Sequence, residues 1–300
     1  MMIIGGSSSQ DLASKVANEL DVKCGKLEVR RFPDGEKYLR VLDEVKDQNV
    51  VVIQSTHHTP DELLFEYLLL VDTLKDLGAE RVVSFFPYFA YARQDERFKP
   101  GEALSFKTVS DLIESVGTDE IYTIDMHGHR LIKLSDVFKI PARNLTAVPL
   151  LADYVKKTYS MEKPLVIGPD AEAEQWARVA AERLGTDYDV FEKKRFGDRQ
   201  VEVRPRKASA KDREILIVDD IISTGGTIVE ALKVLFAQGA RTVNVACTHP
   251  ILAGDALAKI REAGAKNVIG TDTVPGPISY VSVAPLIAEQ VRKAGLSGAS

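Results

Sequence analysis

The strongest constraint on this chain is one stretch, residues 215–227, where an apolar run gives way to two carboxylates, a hydroxyl-rich double-glycine turn and an amphipathic periodicity. Ile215, Leu216, Ile217 and Val218 are apolar on both faces, as a central parallel strand requires. Ile228, Ala231, Leu232, Leu235 and Phe236 recur at the spacing of a helix that buries one side. The pattern predicts strand, turn, helix, with Asp219, Asp220, Ser223, Thr224, Gly225, Gly226 and Thr227 in the turn. Open α/β sheets place ligands there, at the carboxyl ends of their strands. Backbone N–H groups and hydroxyls at a helix N-terminus suit a phosphate, and Gly225 and Gly226 put no Cβ in its way. Asp219 and Asp220 carry the wrong sign for that task. As acceptor-only groups they suit the vicinal hydroxyls of a ribose, so the stretch reads as a phosphosugar site. A capped helix start with two solvated aspartates is the plainer alternative.

The rest of the chain sets bounds on that reading. Its 300 residues allow two domains of about 150 residues each. A net charge of −5 gives no general nucleic-acid surface, so any anion site must be locally basic. Cys24 and Cys247 offer neither a disulfide framework nor a zinc site, and a reduced, cytoplasmic setting is the expectation. The start reads as a first strand and turn rather than a secretion signal, and the most apolar run, 63–71, is too short to span a membrane.

Strand-like runs at 50–54, 81–86, 121–125, 164–168, 215–219, 242–247 and 267–270 alternate with helical periodicity at 61–77, 105–115, 171–184, from Ile228 and at 283–293. Such alternation predicts parallel sheets flanked by helices. The halves also repeat: residues 77–84 and 238–245 each carry Gly-Ala between a helix end and an apolar strand. We read a degenerate internal duplication in which only the second copy keeps the double-glycine turn; its counterpart, 55–61, is expected to bind no phosphosugar. A boundary falls near 141–148, dividing the chain into 1–143 and 144–282, with a final helical segment, 283–300, that could return to the first domain.

Four other segments carry chemistry. Residues 89–101 mix arginines with aromatics before a Pro-Gly break and predict an extended loop or hairpin. There Arg93 can stack on a purine and contact phosphate, and Gln94 can hydrogen-bond a nucleotide; a solvated charged hairpin is the competing reading. Residues 31–37 form a tight hairpin turn around Pro33, Asp34 and Gly35. A predicted strand ends at Asp125 and His127, with His129 beyond: a structural histidine, a transition-metal ligand or, less usually, a magnesium partner. Residues 191–199 are rich in opposite charges and read as a solvated hairpin.

Taken in their order along the chain, the segments resemble the ribose-phosphate diphosphokinase family, and the 215–227 stretch resembles its motif for 5-phosphoribosyl 1-diphosphate (PRPP), shared with type I phosphoribosyltransferases. The resemblance covers nearly the whole chain. It implies an α/β fold of two tandem type I phosphoribosyltransferase-like domains, each a mainly parallel sheet flanked by helices. It implies magnesium-dependent transfer of the β,γ-diphosphate of ATP to O1 of ribose 5-phosphate, giving PRPP and AMP. Phe32, Asp34, Gly35 and Glu36 match a segment that reaches ATP from a neighbouring subunit, and Arg93 and Gln94 match the ATP loop. A homo-oligomer is therefore implied, with no nucleic-acid or membrane partner. His127 and Asp170 match the magnesium-site residues, and Lys193 and Arg195 match the catalytic loop, Arg195 also reaching ribose 5-phosphate. Asp219, Asp220, Ser223, Thr224, Gly225, Gly226 and Thr227 match the ribose 5-phosphate site. The chain departs from the family at Ser223, where an acidic residue is expected, and at 171–175, where glycines and an arginine are expected. A salvage phosphoribosyltransferase and a catalytically silent regulatory homologue are the alternatives.

Overall fold

A computed structural model describes residues 1–97, 99–127, 134–161, 164–196, 200–206 and 208–296, with backbone alone at 193–196 and 200–204. The chain divides into two units, Met1–Leu145 with Ser282–Ser300, and Thr146–Val281.

The first unit runs β1 (Met2–Gly5), α1 (Gln10–Leu20), β2 (Lys23–Gly25), β3 (Leu27–Arg31), β4 (Lys37–Val41), β5 (Asn49–Ile53), α2 (Pro60–Asp76), β6 (Arg81–Phe86), α3 (Ser105–Ser115), β7 (Glu120–Ile124) and β8 (Ala142–Leu145). Six strands form a wholly parallel sheet in the order β2-β1-β5-β6-β7-β8, and β3 and β4 form a separate antiparallel ribbon. The valines of β5 show why both faces are covered. Val50 and Val52 pack with Tyr67, Leu70 and Leu74 of α2, while Val51 and Ile53 point to the opposite face and are equally buried. Each such side chain contributes roughly 1.5–3 kcal/mol by leaving water.

The second unit runs α4 (Val148–Tyr159), β9 (Leu165–Gly168), α5 (Glu174–Leu184), β10 (Tyr188–Phe196), β11 (Gln200–Pro205), β12 (Glu214–Ile222), α6 (Gly226–Ala237), β13 (Thr242–Pro250), α7 (Ala256–Glu262), β14 (Asn267–Thr271) and β15 (Ser279–Val281). Its sheet order is β11-β10-β9-β12-β13-β14-β15, parallel except for β11. Ile215 and Ile217 pack with Ile228, Leu232 and Leu235 of α6; Leu216 and Val218 pack with Trp176 and Ala177 of α5. A last helix, α8 (Ala284–Lys293), lies against α1 of the first unit, where Arg292 donates to the Glu19 carbonyl at 2.5 Å.

With β11 set aside, the two sheets share one strand order, so the predicted duplication and α/β class hold. Each unit adds an antiparallel hairpin at its second strand: β3-β4 follows β2 in one, and β10, itself the second strand, runs on to pair with β11 in the other. The order reverses direction between β1 and β5, and between β9 and β12. Ligand crevices of open α/β sheets open at such a switch point.

Two expected boundaries need correction. Asp219 and Asp220 lie within β12 rather than in the turn after it, because β13 extends to Pro250 and supplies ladder partners as far as Ile222. Helix α5 starts at Glu174 rather than near residue 171, because Asp170 Oδ1 accepts the N–H groups of Glu172 (3.0 Å) and Ala173 (3.1 Å) and folds those residues into a turn.

Candidate active site

In the second unit, the switch point sets Asp170, just past β9, near Asp219 and Asp220 at the end of β12. Burial first, then the charge and hydrogen bonding of Asp220 and the charge of Asp170, hold the Asp219 carboxyl well above the usual carboxylate range. Asp219 Oδ1 also accepts the Asp220 N–H at 3.0 Å. Three acceptor-only groups thus press on one another and invite donors from outside: hydroxyls or a cation.

The turn after β12 is built for an anion. Gly225 takes φ 78°, the left-handed conformation that glycine adopts without strain, and a Cβ there would press on Ile260 at 3.1 Å. A Cβ on Gly226 would meet nothing nearer than Thr224 Oγ1 at 4.0 Å, so the space in front of the helix is open. Helix α6 begins there with no side-chain cap hydrogen bond and no acidic residue in its first turn. Its leading N–H groups have no partners within the helix, and its dipole favours negative charge. Ser223 is half-buried and Thr224 and Thr227 are exposed beside this opening. From below, Leu252 and Ala253 donate their N–H groups to the carbonyls of Ile222 (2.9 Å) and Ser223 (3.0 Å).

The first unit has its own cleft, of about 240 Å³, lined by residues from Tyr88 to Gln94 and by His127. It brings together Arg93, Gln94 and His127. Instead of a hairpin, the Arg93 segment is a run of turns tied to the end of β5. Thr56 Oγ1 donates to the Tyr88 carbonyl (3.0 Å) and accepts the Ala90 N–H (2.8 Å), and Ser55 Oγ accepts the Tyr88 N–H (3.2 Å). Tyr91, at φ 68°, donates its hydroxyl to Asp61; burial and that carboxylate push its pKa up to about 12. Gln94 Nε2 donates to the Glu102 carboxylate at 3.2 Å, while Arg93 is exposed. His127 is aimed by a bend at buried Asp125, φ 38°, whose N–H donates to the Leu145 carbonyl at 2.8 Å, and by the Met126 N–H donating to Asn144 Oδ1 at 3.0 Å.

Phe32, Asp34, Gly35 and Glu36 do not line that cleft. They form the tip of the β3-β4 ribbon. Gly35 takes φ 98° there, Asp34 Oδ1 accepts the Glu36 N–H (3.2 Å), and Phe32 remains 41% exposed. The Arg30 guanidinium lies 4.9 Å from the Phe32 ring centre and 3.9 Å from that of Tyr38. Lys193 and Arg195 fall on β10, in register with Val203 and Val201 of β11, and their side chains lie outside the described residues, as does His129.

One feature escaped the sequence reading. The β1–α1 turn corresponds to the Asp170 turn of the second unit, and the chain fills it with the carboxylate of Glu66 from α2. Ser7 N–H (2.7 Å), Ser7 Oγ (2.8 Å) and Lys37 Nζ (2.6 Å) all donate to Glu66, which is fully buried. The conjunction of Gly5-Gly6-Ser7 after a strand with a lone acid on the apolar side of a helix was the available signal.

Two sheets of this order, one ending in a carboxylate pair and an uncapped glycine turn, define a doubled protein of the phosphoribosyltransferase type. Residues 1–117 match the profile of the N-terminal domain of ribose phosphate pyrophosphokinase, and residues 134–279 match the phosphoribosyl transferase domain. The ribose-phosphate pyrophosphokinase of Methanothermobacter thermautotrophicus is 45% identical over 97% of this chain and 100% of its own length. That of Methanopyrus kandleri is 41% identical over 99% and 100%. The crystal structure of phosphoribosylpyrophosphate synthetase from Mycobacterium smegmatis has a TM-score of 0.88 at 31% identity, covering 99% of each chain. The chain belongs to the ribose-phosphate pyrophosphokinase family.

Proposed function

We propose that this protein transfers the β,γ-diphosphate of ATP to the anomeric hydroxyl of ribose 5-phosphate, giving PRPP and AMP. The observation that carries the reading is the open, uncapped start of α6 directly after the Asp219–Asp220 pair. The 5-phosphate sits on the amides and hydroxyls of Ser223, Thr224, Gly225, Gly226 and Thr227. Asp219 and Asp220 accept the ribose hydroxyls, which fixes O1. The Arg93 and Gln94 cleft takes the nucleotide, and Phe32, Asp34, Gly35 and Glu36 complete it from a neighbouring subunit of a homo-oligomer.

In the reaction O1 forms a bond to the β-phosphorus, the bond from that phosphorus to the α,β-bridging oxygen breaks, AMP leaves with the electron pair, and the O1 proton passes to solvent. Transfer of this kind depends mainly on in-line positioning and charge neutralisation. Lys193 and Arg195 neutralise charge building on the diphosphate, and Arg195 also contacts the sugar phosphate.

Among the described residues no group of three or more His, Cys, Asp or Glu forms a ready metal cage. Magnesium keeps several waters and takes few protein ligands, and Asp219, raised first by burial and then by the charges of Asp220 and Asp170, marks a place that favours a cation. The family resemblance assigns magnesium-site roles to His127 of the first unit and to Asp170 of the second. When bound, the ion would screen the phosphate oxygens. The expected setting is the cytoplasm; no helix among the described residues is long and apolar enough to cross a membrane.

The test is incubation with ATP, ribose 5-phosphate and magnesium, following AMP and PRPP by chromatography. Stoichiometric AMP and PRPP are expected. PRPP consumption with a free base and no need for ATP would mark a phosphoribosyltransferase instead, and no turnover of either kind a regulatory homologue.

A further inference from the structure

Beneath the sugar-phosphate turn lies a buried polar knot to which no role has been given. His249, on β13 in register with Ile221, is 1% exposed, and its Nδ1 lies 2.9 Å from Thr273 Oγ1. Thr271 Oγ1 and Thr273 Oγ1 both donate to the Thr248 carbonyl, at 2.7 and 2.8 Å. All four residues are buried. A threonine hydroxyl has one proton, and that of Thr273 goes to Thr248, so Thr273 Oγ1 must accept from His249 Nδ1–H. The knot thereby fixes one tautomer of the imidazole and ties the end of β13 to the segment after β14.

The chain leaving His249 is the same chain that props the turn. Ile251 N–H donates to the His249 carbonyl (3.0 Å), and Leu252 is held at φ 49°, a conformation rare outside glycine. From there Leu252 and Ala253 donate to the carbonyls of Ile222 and Ser223, the two that lead into the phosphate cradle. A strained segment keeps such a shape only where its ends are pinned.

We infer that His249, through Thr273, is a positioning residue for the 5-phosphate cradle, acting by way of the strained 250–253 strut rather than by touching substrate. The inference rests on the proposed activity and deepens it: His249 sets affinity for the phosphosugar and leaves nucleotide binding alone. Its test is the steady-state kinetics of His249→Leu, His249→Asn and Thr273→Val in the full-length protein. The leucine variant, lacking the donor, should raise KM for ribose 5-phosphate about tenfold, the effect of one buried hydrogen bond, with kcat and KM for ATP within about twofold. Asparagine, whose amide can donate in place of Nδ1–H, should restore most of the affinity, and Thr273→Val should repeat the selective rise. Equal loss in kcat and both KM values, an unchanged ribose 5-phosphate KM, or an asparagine variant as poor as leucine would overturn the inference, as would failure of both the leucine and valine variants to fold. A wild-type protein with no turnover would instead remove the proposed activity itself.

Discussion

At the scale of single residues, Asp219 illustrates a site that is uncomfortable without its ligand. Its folded-state pKa is raised, first by burial and then by Asp220 and Asp170. For an acid this shift leaves stability untouched below the unfolded pKa of about 3.9, and costs stability progressively as pH rises through that value toward the folded pKa. At neutral pH the carboxylate therefore strains the fold. Asp219→Asn should stabilise the protein by about 1 kcal/mol at pH 7 and by nothing near pH 3, while weakening ribose 5-phosphate binding. Urea melts at the two pH values, paired with substrate titrations, check this; a variant less stable than wild type at pH 7 would show that Asp219 is not strained.

Elements were more legible than contacts. The periodicity placed α3, β6 and β9 closely, since an amphipathic helix or a run of branched apolar residues announces its own burial. It ended β12 too early, because two aspartates look like a strand's end when the partner strand that extends them is unseen. It also missed the Glu66 plug: Ser7 and Glu66 lie 59 positions apart, and only the packing of α2 unites them. The same holds for the 240 Å³ cleft, which gathers Arg93 and His127 from separate loops. Since Glu66 satisfies Ser7 and the largely shielded Lys37 together, Glu66→Ala should cost about 3–5 kcal/mol by leaving the ammonium unpaired. Adding Lys37→Met should recover most of the loss in thermal or denaturant unfolding. Additive damage would mean that the pairing is not what stabilises the turn.

On the scale of the whole molecule, the inserted hairpins follow one plan. The units share a strand order, and each has its ribbon at the second strand, following it in one and extending it in the other: one carries Phe32, the other Lys193 and Arg195. If the Phe32 ribbon serves a neighbouring subunit, the two defects should complement each other. Lys193→Ala should lower kcat by roughly 10²-fold or more, as expected for loss of one transition-state donor, and Phe32→Ala should weaken ATP binding. Unfolding and refolding the two variants together should yield mixed oligomers in which some sites have both parts intact, with activity above the average of the variants refolded separately. Activity at that average would keep each ribbon's contribution within its own subunit.

The return of α8 to α1 bears on how this protein is made. A ribosome delivers Val148 through Val281 before it delivers α8, the helix that packs on α1 and carries the buried Ile287 and Val291. The unit that is translated first is therefore the one that must wait, holding an unfinished layer open until α8 emerges, whereas every residue of the second unit has been delivered by then.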